Sequence, residues 1–213
     1  MGINIYTVGH STQSFESFLG LLQKQNVTAI ADVRSAPYSR FNPQFNREEL
    51  RAALKANGIR YVFLGKELGA RSEDDSCYID GKVQYKLLAQ TPLFKSGISR
   101  VIEGAEKHKI ALMCAEKDPI DCHRTILVSR ELLARGVQIT HILQDDSTEP
   151  HKNAIFRLIK KLKLGEADMF QSEENLIHEA YEKQGERIAY DTKITHISST
   201  KDAGISYNEE NEE

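Results

Sequence analysis

The 213-residue chain predicts an α/β fold: a Rossmann-like parallel sheet of about five strands with helices on both faces, plus a C-terminal helical extension. Three observations predict it. Short apolar runs alternate with amphipathic segments along residues 3–143. Helix-capping and helix-stopping residues stand between them. Polar, chemistry-bearing residues follow four of the apolar runs, and right-handed crossovers bring such loops to one sheet edge.

The elements follow in order. Ile3–Val8 reads as a first strand. Ser14 caps a helix reaching about Gln25, with Phe15, Phe18, Leu19 and Leu22 on one face. Thr28–Val33 is a second strand. Asn46 with Glu49 three residues on is a capping-box pattern, and that helix ends near Gly58. Arg60–Leu64 is a third strand. Residues 69–81 form a polar loop carrying Cys77, and helical patterns follow at 84–90 and 96–107. Ile110–Cys114 is a fourth, buried strand. Asp118 as N-cap and Pro119 as first residue open one helix running to Arg135, with Gly136 its stop. Gln138–Leu143 is the fifth strand. After Pro150 the pattern is helical only, at 151–162 and 172–187. The expected organisation is an α/β domain over 1–145, a helical extension over 146–197 packing on it, and a disordered acidic tail over 198–213.

Hydrophobic residues make up 40% and charged residues 28%, ordinary for a soluble globular protein. No apolar run is long enough for a membrane helix, and the start of the chain does not read as a secretory signal. Three cysteines are too few, and odd in number, for a disulfide framework, which predicts a cytoplasmic protein. The net charge of −3 is concentrated in the last thirteen residues, which hold one Lys and five acids. Residues 34–71 carry eight Arg or Lys against three Glu, and residues 152–163 carry five and no acid. Each segment reads either as a solvated helix face or as an anion-binding surface.

The chemistry-bearing residues sit at strand ends. Gly9-His-Ser-Thr12 follows the first strand, Asp32-Val-Arg-Ser-Ala-Pro-Tyr-Ser39 the second, and Gly65-Lys-Glu-Leu-Gly-Ala-Arg71 the third. The fourth is followed by Cys114-Ala-Glu-Lys-Asp-Pro-Ile-Asp-Cys-His-Arg124, two thiols, a carboxylate, an imidazole and a guanidinium where a strand ends and a helix begins. A helix N-terminus favours anions and lowers a nearby thiol's pKa.

These four motifs, with Thr7-Val-Gly-His-Ser11 at the start, resemble the family catalogued as domain of unknown function 488 over residues 5–143, and the Ala180–Gln184 region resembles its C-terminal extension. The resemblance implies a cytoplasmic α/β domain and supplies no reaction.

The residues themselves leave three chemistries open. In the first, Cys122 or Cys114 is a thiol nucleophile on a phosphate-bearing substrate clamped by Arg34 and Arg124. In the second, Glu116, Asp32 and His10 do acid–base work on a nucleotide or nucleic-acid base, and the cysteines are structural. In the third, Cys114, Cys122, His123 and His10 serve a metal or redox role. Zinc sites favour Cys pairs two to four residues apart, and seven residues intervene here. The sequence therefore predicts an enzyme acting on a small phosphorylated or nucleotide-like substrate, with no metal and no cofactor. Cys122, His123, Glu116, Asp32 and His10 are the catalytic candidates. Arg34, Ser11, Ser39, Lys66, Arg71, Arg124 and Cys114 are assigned to the substrate. The alternative is a non-catalytic nucleotide- or nucleic-acid-binding module, or an enzyme processing nucleic-acid bases. The expected partner is a small anionic or nucleotide-like ligand, with nucleic acid less favoured and no membrane.

Overall fold

The computed structural model describes residues 2–165 and 171–193. The end of the expected extension, 194–197, and the acidic tail, 198–213, lie outside the described residues. The strands are β1 (Asn4–Gly9), β2 (Ala29–Asp32), β3 (Arg60–Phe63), β4 (Tyr78–Ile79), β5 (Lys82–Val83), β6 (Ile110–Cys114), β7 (Gln138–Ile142) and β8 (Thr148–Pro150). The helices are α1 (Phe15–Lys24), α2 (Arg47–Ala56), α3 (Gly65–Leu68), α4 (Tyr85–Gln90), α5 (Pro92–Ala105), α6 (Arg130–Leu133), α7 (His151–Lys161) and α8 (Glu173–Ile188).

Six strands form one sheet in the order β3-β2-β6-β1-β7-β8. All neighbours are parallel except β7 and β8. All five expected strands are present. β6 lies at the centre and is buried throughout, because helices cover both faces and each face needs apolar side chains. Its Leu112 packs with Leu68, Phe94, Ile98 and Leu132 on one face. Its Ala111 and Met113 pack with Phe18, Leu22 and Leu50 on the other. The parallel register places the ends of β1, β2 and β6 side by side, with Gly9 beside Cys114 and Asp32 beside Met113.

Several local expectations are corrected. β8 adds an antiparallel sixth strand from the segment read as the start of the extension. Residues 69–81 hold a 3-10 turn at Asp75–Cys77 and most of the β4–β5 hairpin, and Cys77 is a core residue rather than a loop thiol. Asn46 stands at the N-cap of α2, but its Oδ1 accepts from Ser39 N at 2.7 Å and makes no cap bond. The single helix expected over 119–135 is broken. Asp118 caps only a 3-10 turn, Pro119–Asp121. Cys122 is extended (φ −133°, ψ 141°), and a π-helical turn, Arg124–Ser129, then leads into α6.

Three of the four Lys and Arg residues of the basic helix α7 are paired with acids. Arg157 pairs with Asp118 at 2.7 Å and Glu149 at 2.8 Å, Lys161 with Asp121 at 2.9 Å, and Lys152 with Glu173 at 3.1 Å. Its apolar face meets Ile120, Ile126, Ala180 and Tyr181 in a third core cluster. A buried chain ties this layer to the sheet: Thr7 Oγ1 to His141 Nδ1 (2.7 Å), His141 Nε2 to His151 Nδ1 (3.1 Å), and His151 Nε2 to the Tyr181 hydroxyl (2.6 Å).

Candidate functional site

The ends of β1 and β6 are laced together by backbone. His10 N donates to Cys114 O at 3.0 Å and Ser11 N to Ala115 O at 2.9 Å, with Ser11 in the left-handed region at φ 48°. The approach is so close that a Cβ on Gly9 would lie 1.9 Å from Glu116 O. Glycine is therefore required at position 9, and it fixes the path of the loop that carries Glu116.

Two polar clusters form beside this seam. The first is built on β2. Asp32 is fully buried and accepts from Arg34 Nη2 at 2.6 Å, Arg34 Nε at 2.9 Å, Arg34 N at 3.1 Å and the Tyr61 hydroxyl at 2.7 Å. Arg34 also donates to Phe45 O at 2.9 Å and, through Nη1, to His10 Nε2 at 3.1 Å. His10 Nδ1 faces Ser11 O at 2.8 Å, which makes Nδ1 the protonated nitrogen and Nε2 the acceptor. The ring stacks on Phe45 with centroids 4.3 Å apart. Burial, with the Arg34 charge in support, pulls the His10 pKa down to about 4, so the ring is neutral. Burial alone would lower the Arg34 pKa, but its bonds and charge contact with Asp32 raise it.

The second cluster gathers Cys114, Glu116, Cys122 and His123, whose ligand-type atoms lie within 4.8 Å of one another. Cys122 Sγ is hydrogen-bonded to Glu116 Oε2 at 2.9 Å. His123 Nδ1 lies 3.7 Å from Cys114 Sγ and 3.9 Å from Cys122 Sγ. Its Nε2 donates to Val33 O at 3.0 Å, which turns Nδ1 on both sulfurs; burial alone would lower the His123 pKa, but the bond to and charge of Cys122 raise it. Cys122 takes the place of an N-cap. Its carbonyl accepts from Ile126 N at 3.1 Å and its Sγ from Arg124 N at 3.4 Å. Burial pushes the Cys114 thiol up. Burial acts the same way on Cys122, but the bond from Cys114, the Arg124 charge and His123 together hold it low. Burial and the neighbouring Cys122 raise Glu116. Three of the four members are buried; Glu116 is exposed as a residue, while its carboxyl is partly desolvated against Cys122.

Arg124 is fully buried and donates to Glu116 O at 2.8 Å, Lys117 O at 3.4 Å and Thr7 Oγ1 at 3.4 Å. Among the described residues no carboxylate pairs with it. The guanidiniums read as substrate clamps are thus both inside the protein, Arg34 on Asp32 and Arg124 on the Glu116–Lys117 backbone. Ser39 Oγ accepts from Phe41 N and Asn42 N, both at 3.2 Å, and shapes the loop after β2. Lys66 is exposed, and exposed Arg71 stacks on Tyr190 at 4.4 Å. The strand ends therefore bring together His10, Asp32, Arg34, Cys114, Glu116, Cys122, His123 and Arg124. They leave Ser39, Lys66 and Arg71 on neighbouring loops, and Ser11 contributes through its backbone.

Sequence reasoning missed Tyr85, which lies in no motif. Its hydroxyl is buried without a hydrogen-bond partner. Burial, reinforced by Cys122, Cys114 and Glu116, raises its pKa. Tyr85 also lines a cavity of about 1030 Å³, with Ile126, Arg130, Tyr181 and Gly185 among the other walls.

No curated protein matches the chain. Over residues 14–130, more than half its length, it matches the family model described as Domain of unknown function DUF488, and the chain belongs to that family.

Proposed function

We propose that the protein is an enzyme acting on a small phosphorylated or nucleotide-like substrate, with the reaction at the Cys114–Glu116–Cys122–His123 quartet on the C-terminal edge of the sheet. The observation that carries this reading is the convergence of two sulfurs, an imidazole nitrogen and a carboxylate oxygen within 4.8 Å, with Glu116 the one member exposed to solvent. Glu116 is accordingly the member that touches substrate and moves a proton to or from it. The unpartnered Tyr85 hydroxyl beside the quartet is a donor for charge that develops there.

The loop after β2 supports the nucleotide-like class. Tyr38 and Phe41 are 66% and 88% exposed on it, flanking exposed Arg40. Exposed aromatic faces are surfaces on which bases stack. Exposed Lys66 and Lys117, at the ends of β3 and β6, supply positive charge for a phosphate in place of the committed Arg34 and Arg124. The nucleic-acid-module reading is weaker, because Lys152, Arg157 and Lys161 of α7 are already paired with acids, leaving exposed Lys160 as the helix's one cation without an acid partner among the described residues.

The test is a panel of mononucleotides and sugar phosphates followed by phosphorus NMR and mass spectrometry. At least one is converted, and Glu116→Gln lowers its turnover by about 100-fold or more while the circular dichroism stays native. Phe41→Ala raises KM for a converted nucleotide. Absence of turnover across the panel, or turnover unchanged in Glu116→Gln, overturns the reading.

A further inference from the structure

We infer that the quartet is a metal centre, in which Cys114 Sγ, Cys122 Sγ and His123 Nδ1 bind one borderline-soft divalent cation of the zinc class and Glu116 closes the exchangeable fourth corner. Four features of the geometry carry this. The donor set is two thiolates, an imidazole and a carboxylate, the combination that suits zinc among the common cations. Zn–S bonds of about 2.3 Å and Zn–N bonds of about 2.0 Å imply a tetrahedral S···N edge of roughly 3.5 Å. The two edges here are 3.7 and 3.9 Å, a few tenths of an ångström from closing on an ion.

The imidazole is oriented as a ligand. His123 Nε2–H is held by the Val33 carbonyl at 3.0 Å, which fixes the tautomer and turns Nδ1 on both sulfurs. Metal-bound histidines are held in this way, by a carbonyl or carboxylate on the far nitrogen.

The third feature is charge. Arg124 is 0% exposed and has no carboxylate partner among the described residues. A buried guanidinium that donates only to carbonyls and a hydroxyl needs a compensating anion nearby, and the Cys122 sulfur is the group beside it. Two thiolates and a carboxylate around one divalent cation leave a net charge of about −1 beside it, which balances the arginine.

The fourth feature is how the fold overcomes the chain spacing. Seven residues separate the cysteines, wider than the usual zinc pair. Cys114 ends β6, the 3-10 turn at Pro119–Asp121 reverses the chain, and extended Cys122 returns its sulfur to the strand end. Adjacency comes from the strand end and the turn, not from a short knuckle. A cation there would activate a water or polarise a substrate oxygen at the corner Glu116 closes. That catalytic role rests on the proposed function, whereas the binding site stands on geometry alone.

The experiment is a cobalt(II) titration of the full-length reduced chain, followed by visible absorption. One equivalent should produce intense d–d bands of a tetrahedral site with thiolate-to-cobalt charge transfer, and zinc should abolish both. Cys77→Ser should leave the spectrum unchanged. Cys114→Ser and Cys122→Ser should lose most of the charge-transfer intensity. If either serine variant fails to fold, Glu116→Gln provides the second reading: the charge transfer persists while the d–d bands shift. A weak spectrum like that of the hydrated ion, or one identical in wild type and folded cysteine variants, overturns the inference. Cobalt bound as described with no substrate converted leaves the metal site standing and removes the enzyme. Turnover by chelator-treated protein free of metal leaves the enzyme standing and overturns the metal's catalytic role.

Discussion

Around Asp32 nearly every donor has an acceptor; around Cys122, on the same sheet edge, two sulfurs, a carboxylate and an imidazole nitrogen converge within 4.8 Å while the neighbouring Tyr85 hydroxyl has no partner. Four of the five N–H donors of Arg34 are used, on Asp32, His10 and Phe45. Asp32 fills its remaining capacity with Tyr61 and the Arg34 amide. That cluster closes on itself and has nothing left to offer a ligand. In the second cluster Cys114, Cys122, Glu116 and His123 Nδ1 point at one another, Arg124 has no carboxylate partner among the described residues, and the Tyr85 hydroxyl lacks a partner. Burial and polarity are similar in the two places. The difference is satisfaction, and on the proposed reading it separates a structural ion pair from a reactive site.

The largest effect should come from breaking the satisfied cluster. Asp32→Ala leaves Arg34 buried without its partner and should cost on the order of 3–5 kcal/mol in urea unfolding. Replacing both, as Asp32→Leu with Arg34→Met, should recover a large part of that loss. A double variant no better than the single would show that the pair itself, not the orphaned charge, sustains the fold.

Gly9→Ala should come next. Its Cβ would overlap Glu116 O, so the 115–117 loop must move, at about 1–3 kcal/mol for an overpacked site. The displaced Glu116 should also lower turnover, which a stability assay alone would not reveal. Unchanged stability and turnover would mean that the loop is not fixed by this contact.

Acid should weaken the layer built by α7 and α8. Burial depresses His151 from 6.5 to about 4 and holds His141 well below its ordinary value. Both are therefore neutral in the folded chain, whereas the unfolded chain takes up protons as pH falls through 6.5. Their contribution is fully present above that value and is lost progressively as pH falls toward 4. His10, also at about 4, adds to the same slope. Urea midpoints at pH 7 and pH 5 should differ in this sense, and His151→Gln should flatten the dependence. A midpoint that rises on acidification contradicts it.

The smallest effect belongs to the surface pairs. Lys161→Ala should cost less than about 1 kcal/mol. It should leave oligonucleotide affinity unchanged, because Lys161 already serves Asp121.

The sheet was legible because each strand is an apolar run bounded by caps and glycines, and Ser14, Gly58 and Gly136 punctuate the helices as their chemistry predicts. β8 was not legible: Thr-Glu-Pro has no alternation, and its proline reads as a helix start. The quartet was legible as residue types but not as geometry. Asp118 and Pro119 are good helix openers, yet Cys122 supplies a second cap through its carbonyl and sulfur and breaks the helix at the point that brings the thiols together. The roles of Arg34 and Arg124 were hidden for a related reason. Exposure decides whether a guanidinium is a clamp or a core cation, and sequence pattern does not encode it. Tyr85 carries no motif, since an unpartnered hydroxyl is a property of packing.

Urea unfolding of Asp32→Asn and Glu116→Gln side by side, in metal-free protein, tests the contrast most directly. Asp32→Asn should lose several kcal/mol, on the scale of about 3–5 for a broken buried pair. Glu116→Gln should stay within about 0.5 kcal/mol of wild type or gain stability, because it removes a negative charge from beside Cys122. A mild Asp32→Asn together with a strongly destabilised Glu116→Gln would reverse the assignment and make the quartet the structural cluster.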